Sequence, residues 1–378
     1  MSVVFLYSDK FGDFSYGGGH PMRPLRLRLT HELMGRLGLL TGEGVKVIEA
    51  REATEREILT SHTPEYLEAL KVADSGEISE RLGMAYGLGY GDNPVFRGVY
   101  EWSAYSAGAS VQAAELVASG DAGIAFNICG GLHHAMASRA SGFCYINDPV
   151  VAIKRLLELG KRVAYVDIDA HHGDGVEVAF ADTDRVLTIS IHESGQTLFP
   201  GTGFTEDMGT GAGLGYAVNL PLPAYAGDDL FLQAFNGIVP QFLETFSPDV
   251  LVTQLGVDTF ASDPVTHLEL TTRAFEEMIR AFKNFDTPWV ALGGGGYDMW
   301  NVARAWTLAW GEMSGQEVPD VTSAECETIL NEAGVNGGEA RIRDKEDRKK
   351  EPNKRAVALI AEEIEKLKRQ NLPLIKNR

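Results

Sequence analysis

The sequence has few cysteines and too few basic residues to balance its acidic ones, and each scarcity excludes a class of protein. Among 378 residues only Cys129, Cys144 and Cys326 are cysteines, and no two of them form a short Cys-x-x-Cys pair. This excludes a disulfide framework and an all-cysteine zinc site, and it is typical of a reducing compartment. The 34 Lys and Arg against 53 Asp and Glu give a net charge of −19, which argues against binding to nucleic acid.

Long apolar runs and nucleotide-binding motifs are also missing. No apolar segment approaches the roughly 18 residues that span a membrane. The opening MSVVFLYSDK predicts a first strand, because a secretory signal needs a basic start and a longer apolar stretch. The glycine-rich segments GTGAGLG and GGGG match neither the dinucleotide fingerprint nor a phosphate loop. We therefore expect a cytoplasmic protein that uses no nucleotide and has no membrane partner.

Short apolar strands alternate with amphipathic helices along the chain. Several strands are apolar nearly throughout, which indicates that helices cover both of their faces. This pattern predicts an α/β fold with a single-domain, mostly parallel sheet flanked by helices. The predicted strands are residues 3–7, 123–126, 163–168, 186–191, 250–255 and 289–292, and the clearest helices are residues 22–40, 99–118, 149–159, 230–246, 271–285 and 301–313.

The C-terminal part of the chain differs in composition. Residues 339–378 contain thirteen Lys or Arg and eight Asp or Glu, a net charge of +5 that leaves residues 1–338 at −24. An apolar stripe with helical spacing runs through this part, at Val357, Ile360, Ile364 and Leu367. We predict a main domain at 1–320 and an extension at 321–378, whose charged helix packs lightly on that domain or extends from it. A helix that binds a partner is the alternative.

The strongest chemical signal is the segment YVDIDAHHGDG. Asp167, Asp169 and His171 alternate at the end of an apolar strand, so a period of two places their side chains on one face. Ionisable groups that converge there need a cation or hydrogen bonds, and carboxylates with an imidazole suit a divalent transition metal. Asp258, after another buried run, can supply a third ligand and leave a position for water. The alternative is a polar strand end followed by a histidine-rich turn.

A second cluster, CGGLHHA, contains His133 and His134. Because adjacent side chains point in different directions, an acid–base pair is favoured over two ligands of one metal. Each histidine would need a carboxylate that fixes its tautomer, and Asp167 and Asp174 could fill this role. Two histidines in a glycine turn without a function are the alternative.

Two more polar residues stand beside glycine turns. Tyr297 follows four glycines at the carboxyl end of a predicted strand, where the backbone can pass close to a ligand. Its hydroxyl could stabilise an oxyanion, while an aromatic that only covers the turn is the alternative. Asp92 lies in the turn GYGDNP, where ordinary turn chemistry explains it without a function.

Five separated segments together resemble the motif set of the histone deacetylase superfamily. In chain order they are HPMRPLRLRLTHEL (20–33), GGLHHAMASRASGFCYIND (130–148), YVDIDAHHGDGVEVAF (165–180), QLGVDTFASDP (254–264) and LGGGGYDMWNVARAW (292–306). The resemblance extends from about residue 5 to about residue 320 and is greatest to the bacterial acetoin utilisation deacetylases, which are similar to class I histone deacetylases. It implies an arginase/deacetylase-like fold with a deacetylase domain at 1–320. It also implies zinc-dependent removal of the acetyl group from N-ε-acetyl-lysine of proteins, releasing acetate.

The resemblance also implies roles for individual residues. The metal, zinc or iron(II), would be held by Asp169, His171 and Asp258, and the catalytic groups would be Tyr297 and the pairs His133–Asp167 and His134–Asp174. The substrate would contact Asp92 at the rim and Gly142, Phe143 and Phe199 in the channel, with Arg26 lining the acetate exit. Two potassium sites would use Asp167, Asp169, His171, Ser190 and Ile191, and Phe180, Thr183, Val186 and Tyr216.

The resemblance limits the partners as well. It implies acetylated protein substrates, such as acetyl-CoA synthetase, and is compatible with a monomer. Class I enzymes bind an inositol phosphate through basic residues; Arg23 matches one of them, but the other positions are Pro264 and Trp300, so neither this ligand nor a corepressor is expected. Three other functions remain open: an acetylpolyamine or other small-molecule amidohydrolase, a ureohydrolase with two manganese ions, and a non-catalytic acetyl-lysine binding protein.

Overall fold

One parallel sheet forms the centre of the structure, a computed structural model that describes residues 2–89, 91–335, 339–345 and 353–376. The strands are β1 (Val3–Tyr7), β2 (Val45–Glu49), β3 (Ile124–Asn127), β4 (Val163–Asp167), β5 (Val186–Glu193), β6 (Ala217–Leu222), β7 (Val250–Gln254) and β8 (Trp289–Leu292). Their order in the sheet is β2-β1-β3-β8-β7-β4-β5-β6, and all neighbouring strands are parallel. The predicted fold class is confirmed.

Helices flank the sheet, and several of them pack in pairs. Examples are α5 (Val99–Ser119) with α6 (Asp148–Glu158), α1 (Leu25–Arg36) with α10 (Met299–Ser314), and α8 (Asp228–Phe246) with α12 (Lys354–Asn371). None of the described helices is long and apolar enough to cross a membrane. The helices are α1 (Leu25–Arg36), α2 (Glu55–Ile58), α3 (Pro64–Ala73), α4 (Glu80–Tyr86), α5 (Val99–Ser119), α6 (Asp148–Glu158), α7 (Asp174–Phe180), α8 (Asp228–Phe246), α9 (Thr272–Asn284), α10 (Met299–Ser314), α11 (Glu327–Glu332) and α12 (Lys354–Asn371).

The two strands at the edges of the sheet were not predicted from the sequence. β2 has partly exposed side chains along its whole length, and β6 contains Asn219 and Pro221, so neither presents a continuous apolar run. Proline is tolerated in β6 because an edge strand has a side without a strand partner. The strands that were predicted lie between these edges, where both faces are buried.

Four adjacent central strands, β3, β8, β7 and β4, place the candidate chemistry at one edge of the sheet. Because they are parallel, their carboxyl ends meet there, as is usual for sites on open α/β sheets. The two histidines follow β3, the four glycines follow β8, Asp258 follows β7, and Asp169 follows β4. Segments that are far apart in sequence are thereby brought together.

The C-terminal helix α12 forms where the apolar spacing predicts it and lies against α8. Ile360, Ile364 and Leu367 are buried, as expected for the apolar stripe. At its end, the Asn371 amide donates to the carbonyls of Gly215 and Ala217, at 3.1 and 2.8 Å. The charged run that precedes the helix lies partly outside the described residues.

Candidate active site

Asp169, His171 and Asp258 form the group that could hold a metal ion. One ligand atom from each residue lies within 4.8 Å of the others, and this is the one such group in the described part of the chain. The Nδ1 atom of His171 is 3.1 Å from Oδ1 of Asp169 and from Oδ2 of Asp258. Burial disfavours a charged imidazole, yet the two carboxylates hold the pKa of His171 well above its ordinary value. The group therefore attracts positive charge, and its donor set fits one divalent ion.

Glycines let the backbone approach these carboxylates. A Cβ atom on Gly295 would lie 2.0 Å from Oδ2 of Asp258, and one on Gly256 would lie 2.0 Å from Oδ2 of Asp169. The Gly295 N–H donates to Asp169 Oδ2 at 2.8 Å. A larger residue at either position would displace a carboxylate. The backbone therefore passes close to the ligands at Gly295, as the run of four glycines predicts.

His133 and His134 line the same small cavity as Asp169 and His171 of the metal group. The Nδ1 atom of His133 is 2.7 Å from Oδ2 of Asp167, and Nδ1 of His134 is 2.7 Å from Oδ1 of Asp174. These are the carboxylates that the sequence suggested. The expectation that the two side chains point in different directions is wrong, since their Nε2 atoms lie 3.0 Å apart. The two residues lie in a turn after β3, so strand alternation does not apply.

The two histidines differ in their affinity for a proton. Burial, together with the positive charge of His133, lowers the pKa of His134 to about 4. Burial disfavours the charged form of His133 too, but the carboxylates of Asp167 and Asp169 raise its pKa to about 9. Groups with pKa values separated in this way are suited to opposite roles in proton transfer.

Tyr297 projects towards the same cavity from the end of the glycine turn. Its N–H donates to Oδ2 of Asp263 at 2.8 Å, and its ring meets the edge of Phe143 at a centroid distance of 5.5 Å. Burial and the charge of Asp258 raise the pKa of Tyr297 well above its ordinary value, so the hydroxyl keeps its proton. Below the turn, buried Arg26 donates to the carbonyl of Gly296 at 2.9 Å.

The predicted channel residues surround the entrance to this cavity. A Cβ atom on Gly142 would lie 2.4 Å from Cδ2 of His134 and 2.9 Å from Cε1 of Phe199, so the passage is narrow there. The ring of Phe199 stands at a centroid distance of 5.0 Å from that of His134. Asp92 is exposed, and its carbonyl lies 3.3 Å from Nε2 of His20, whose ring meets Phe143.

The predicted potassium ligands lie around β4 and β5. Asp167 and Ser190 are register partners in these strands, with Ile191 next along β5 and Asp169 and His171 just beyond β4. In the second set, the Thr183 N–H donates to the carbonyl of Phe180 at 3.3 Å, Val186 begins β5, and Tyr216 precedes β6. Both sets remain predictions. The three positions that match the inositol phosphate site of class I enzymes all line one surface cleft; they are Arg23, Pro264 and Trp300.

Sequence reasoning missed two polar residues that hold the site together. Gln254, the last residue of β7, donates through Nε2 to Asp169 Oδ2 at 2.6 Å and accepts the Gly256 N–H at 2.7 Å. Asp148 accepts the N–H groups of Gly131 and Leu132, at 3.0 and 2.8 Å, and so fixes the turn before the histidines. A glutamine at the end of an otherwise apolar strand was the available signal for Gln254.

Several known proteins have a similar fold and a similar sequence. A profile of the histone deacetylase domain matches residues 20–313. The chain is 41% identical to the acetoin utilization protein AcuC of Bacillus subtilis, covering 82% of each chain, and 40% identical to the histone deacetylase RPD3 of Saccharomyces cerevisiae, covering 82% of this chain and 71% of the yeast protein. Solved structures of an HDAC homolog complexed with SAHA and of an HDAC homolog from Aquifex aeolicus match with TM-scores of 0.89 and 0.87; each is 35% identical and covers 97% of this chain and 100% of its own. The chain belongs to the histone deacetylase family.

Proposed function

We propose that this deacetylase hydrolyses the acetyl amide of N-ε-acetyl-lysine in proteins and releases acetate. The observation that carries the proposal is the convergence of the metal group, the histidine pair and Tyr297 on one narrow cavity. A channel between aromatic rings suits the extended methylene chain of an acyl-lysine. The relative named for acetoin utilization supports acetylated metabolic enzymes as substrates, and acetyl-CoA synthetase is the candidate that we carry over from the family resemblance.

Asp169, His171 and Asp258 would hold zinc or iron(II). When bound there, such an ion acidifies a water molecule and polarises the acetyl carbonyl. Neighbouring groups of the chain hold the ligands in place, because Gln254 and the Gly295 N–H both donate to Asp169 Oδ2. Oδ2 of Asp167 already accepts from Tyr165 and contacts His133, so this oxygen is not available to bind a second manganese ion beside the first, and a potassium ion would use other oxygen atoms of this set. This arrangement favours a deacetylase over a ureohydrolase with two manganese ions.

The histidine pair would move the protons of the reaction. His134, with the lower pKa, takes a proton from the attacking water as the new C–O bond forms. The pair then passes one proton to the amide nitrogen as the C–N bond breaks, because an unprotonated lysine amide is a poor leaving group. Tyr297 donates its hydroxyl to the carbonyl oxygen on which negative charge develops. Acetate and a free lysine amine are the products.

Other residues would bind the substrate and further ions. Gly142, Phe143 and Phe199 would surround the lysine methylenes, and Asp92 would accept the substrate backbone at the rim. Arg26 would line the acetate exit. We further propose that the two predicted potassium sets bind K⁺, that residues 1–320 form the deacetylase domain, and that the protein works as a cytoplasmic monomer.

Acetate release from purified protein tests the proposal. An acetyl-lysine peptide and acetylspermidine are compared before chelation, after chelation, and after adding Zn²⁺ or Fe²⁺ back. We expect turnover of the peptide that chelation abolishes and a divalent ion restores. Preferential turnover of acetylspermidine would assign a small-molecule amidohydrolase, and binding of the peptide without any acetate release would assign a binding protein.

A pair of matched variants tests whether metal binding depends on a proposed ligand or on any acidic side chain. Asp258→Asn removes a proposed ligand, whereas Asp286→Asn changes an exposed aspartate in a turn. Elemental analysis should show about one divalent ion per wild-type chain, a clear loss in Asp258→Asn, and no loss in Asp286→Asn. Equal metal content in all three proteins would contradict the assigned ligands.

A further inference from the structure

We propose that Glu193 is a positioning residue that holds the wall of the acyl-lysine channel and thereby selects the size of the acyl group. This inference builds on the proposed function. Glu193 is the last residue of β5, and its side chain is 0% exposed. Its N–H donates at 2.9 Å to the carbonyl of Ala170, which lies between Asp169 and His171. The residue therefore sits next to the metal group without belonging to it.

The carboxylate of Glu193 joins two loops. Its Oε1 accepts the Thr197 hydroxyl at 2.9 Å and lies 2.8 Å from Nδ1 of His267, and its Oε2 accepts the His267 N–H at 3.0 Å. Thr197 belongs to residues 194–203, which we call the wall loop because they carry Phe199. His267 belongs to residues 259–270, which follow Asp258. One buried side chain thus fixes the distance between these two segments.

A buried carboxylate is a directional link rather than passive filling. Removing a carboxylate from water is unfavourable unless hydrogen bonds replace the lost solvation, and here three donors do so. A contact between apolar side chains would tolerate sliding of the loops, whereas these hydrogen bonds fix both distance and angle. The Thr197 and Leu198 N–H groups also donate to the carbonyl of Ser194, so the turn that leads to Phe199 is fixed from both sides.

The position of Phe199 depends on this turn. Its side chain is exposed for 42% of its surface, so packing does not enclose it. On its inner side, the ring lies against His134 and close to Gly142. An outward shift of the wall loop would therefore widen the passage, while Asp169 and Asp258 would keep the positions that β4 and β7 give them. The consequence is a change in acyl selectivity and KM rather than loss of metal.

Glu193→Gln tests the proposal with little change in shape. The amide carries no charge, so its hydrogen bonds to Thr197 and His267 are weaker than those of the carboxylate, and its N–H₂ group requires the Thr197 hydroxyl and the His267 ring to change from donor to acceptor. For acetyl-lysine peptide we expect kcat/KM to fall about tenfold, mostly through KM, because replacing buried hydrogen bonds to a charged group by neutral ones has a cost of this order. The ratio of kcat/KM for butyryl-lysine to that for acetyl-lysine peptide should rise about fivefold or more, with unchanged metal content.

Thr197→Val removes the hydroxyl that donates to Glu193 and that also lies 3.1 Å from the Ser194 carbonyl, while the links of Glu193 to His267 remain, and it should reproduce the shift in selectivity. Thr245→Val, at a half-buried position of α8 far along the chain from the wall loop, should leave the ratio unchanged. Unaltered selectivity in both Glu193→Gln and Thr197→Val would overturn the inference, as would a loss of kcat and metal with the ratio unaltered. A wild-type protein inactive on every acyl-lysine would refute the proposed function instead. In that case hydrogen–deuterium exchange decides: faster exchange of residues 194–203 in both variants supports the positioning role, and unchanged exchange overturns it.

Discussion

The Nε2 atoms of His133 and His134 face each other at 3.0 Å, while each Nδ1 lies 2.7 Å from its own aspartate. With both carboxylates ionised, each Nδ1 carries a hydrogen and donates it. The facing Nε2 atoms can form a hydrogen bond only if one of them is protonated and the other is not. The pair therefore holds a single proton between its two Nε2 atoms, and the raised pKa of His133 with the lowered pKa of His134 agrees with this.

Sharing of one proton predicts that the two histidines act as a unit. Either His133→Ala or His134→Ala should lower kcat by about a hundredfold or more, since general acid–base catalysis contributes this much. The double variant should be little worse than the worse single variant, because each change already disables the shared function. Acetate release from all four proteins at equal metal content provides the measurement. A double variant whose loss equals the product of the single losses would show that the histidines work independently.

Tyr297→Phe should keep metal binding and lose most of kcat. The raised pKa of Tyr297 means that its hydroxyl remains a hydrogen-bond donor at neutral pH, and removal of one such donor to an oxyanion lowers kcat by about a hundredfold to a thousandfold. Steady-state kinetics and elemental analysis provide the measurements. Tyr105→Phe, on α5, is the matched control and should have neither effect. Near-wild-type turnover of an acetyl-lysine peptide by Tyr297→Phe would refute the role of the hydroxyl.

The parts of this site that the sequence predicted share one property: they follow buried apolar strands. Asp169, Asp258 and Tyr297 could be found because an apolar run ends just before each, and a parallel sheet brings such ends together. Edge strands β2 and β6 lacked that run and were missed. Pairing of His133 with Asp167 came from the family resemblance, because contacts across 34 positions leave no local pattern.

Residues that support the site were harder to predict than residues that line it. Asp263 accepts the Tyr297 N–H, and Glu193 joins two loops, yet in the sequence Asp263 stands among ordinary turn residues and Glu193 only marks the polar end of a strand. Their roles follow from burial and from the donors that surround them, and both are properties of the assembled fold. A carboxylate in a loop is usually solvated, so its residue type alone carries little information.

Gly142→Ala should close the channel. The new Cβ atom would lie 2.4 Å from Cδ2 of His134, at a residue whose φ of 51° already disfavours a side chain. We expect kcat/KM to fall by about a hundredfold or more, because the clash moves a histidine of the site. Gly160→Ala is the control, since its φ is 78° and its Cβ atom would meet nothing within 4 Å. The Gly160→Ala variant should lose about 1 kcal/mol of stability through backbone strain and keep its activity. An equal fall of kcat/KM in Gly142→Ala and Gly160→Ala would contradict the steric argument.

The acidic body of the protein should attract basic substrates. Residues 1–338 have a net charge of −24, so an acetyl-lysine peptide rich in lysine and arginine is drawn towards the surface at low ionic strength. Its kcat/KM should fall steeply, by about tenfold, between low salt and 0.5 M salt, where charges are screened over a few ångströms. A neutral acetyl-peptide measured in the same buffers should change little. Equal salt dependence of the two peptides would rule out electrostatic steering.

His62 supports the turn that carries His133 and His134, and its protonation would make the stability of that turn depend on pH. Its Nε2 accepts the N–H of Asn147 at 3.0 Å, and the Asn147 side-chain amide donates to the carbonyls of His133 and Ala135. Burial lowers the pKa of His62 from 6.5 to about 4, so the folded protein keeps this ring neutral. Protonation would replace the acceptor with a second donor and would weaken the turn that carries the histidine pair.

The consequence is a loss of stability in acid that His62→Gln should reduce. Between pH 6.5 and about 4 the unfolded chain binds a proton at His62 and the folded chain does not, so the free energy of unfolding falls as the pH falls. The slope due to this group is at most about 1.4 kcal/mol per pH unit. Glutamine can accept from Asn147 through Oε1 and does not titrate, so urea unfolding from pH 4.5 to 8 should show a shallower decline below pH 6.5 and the same pH dependence above pH 7.5. Parallel curves over the whole range would assign the acid sensitivity to other groups.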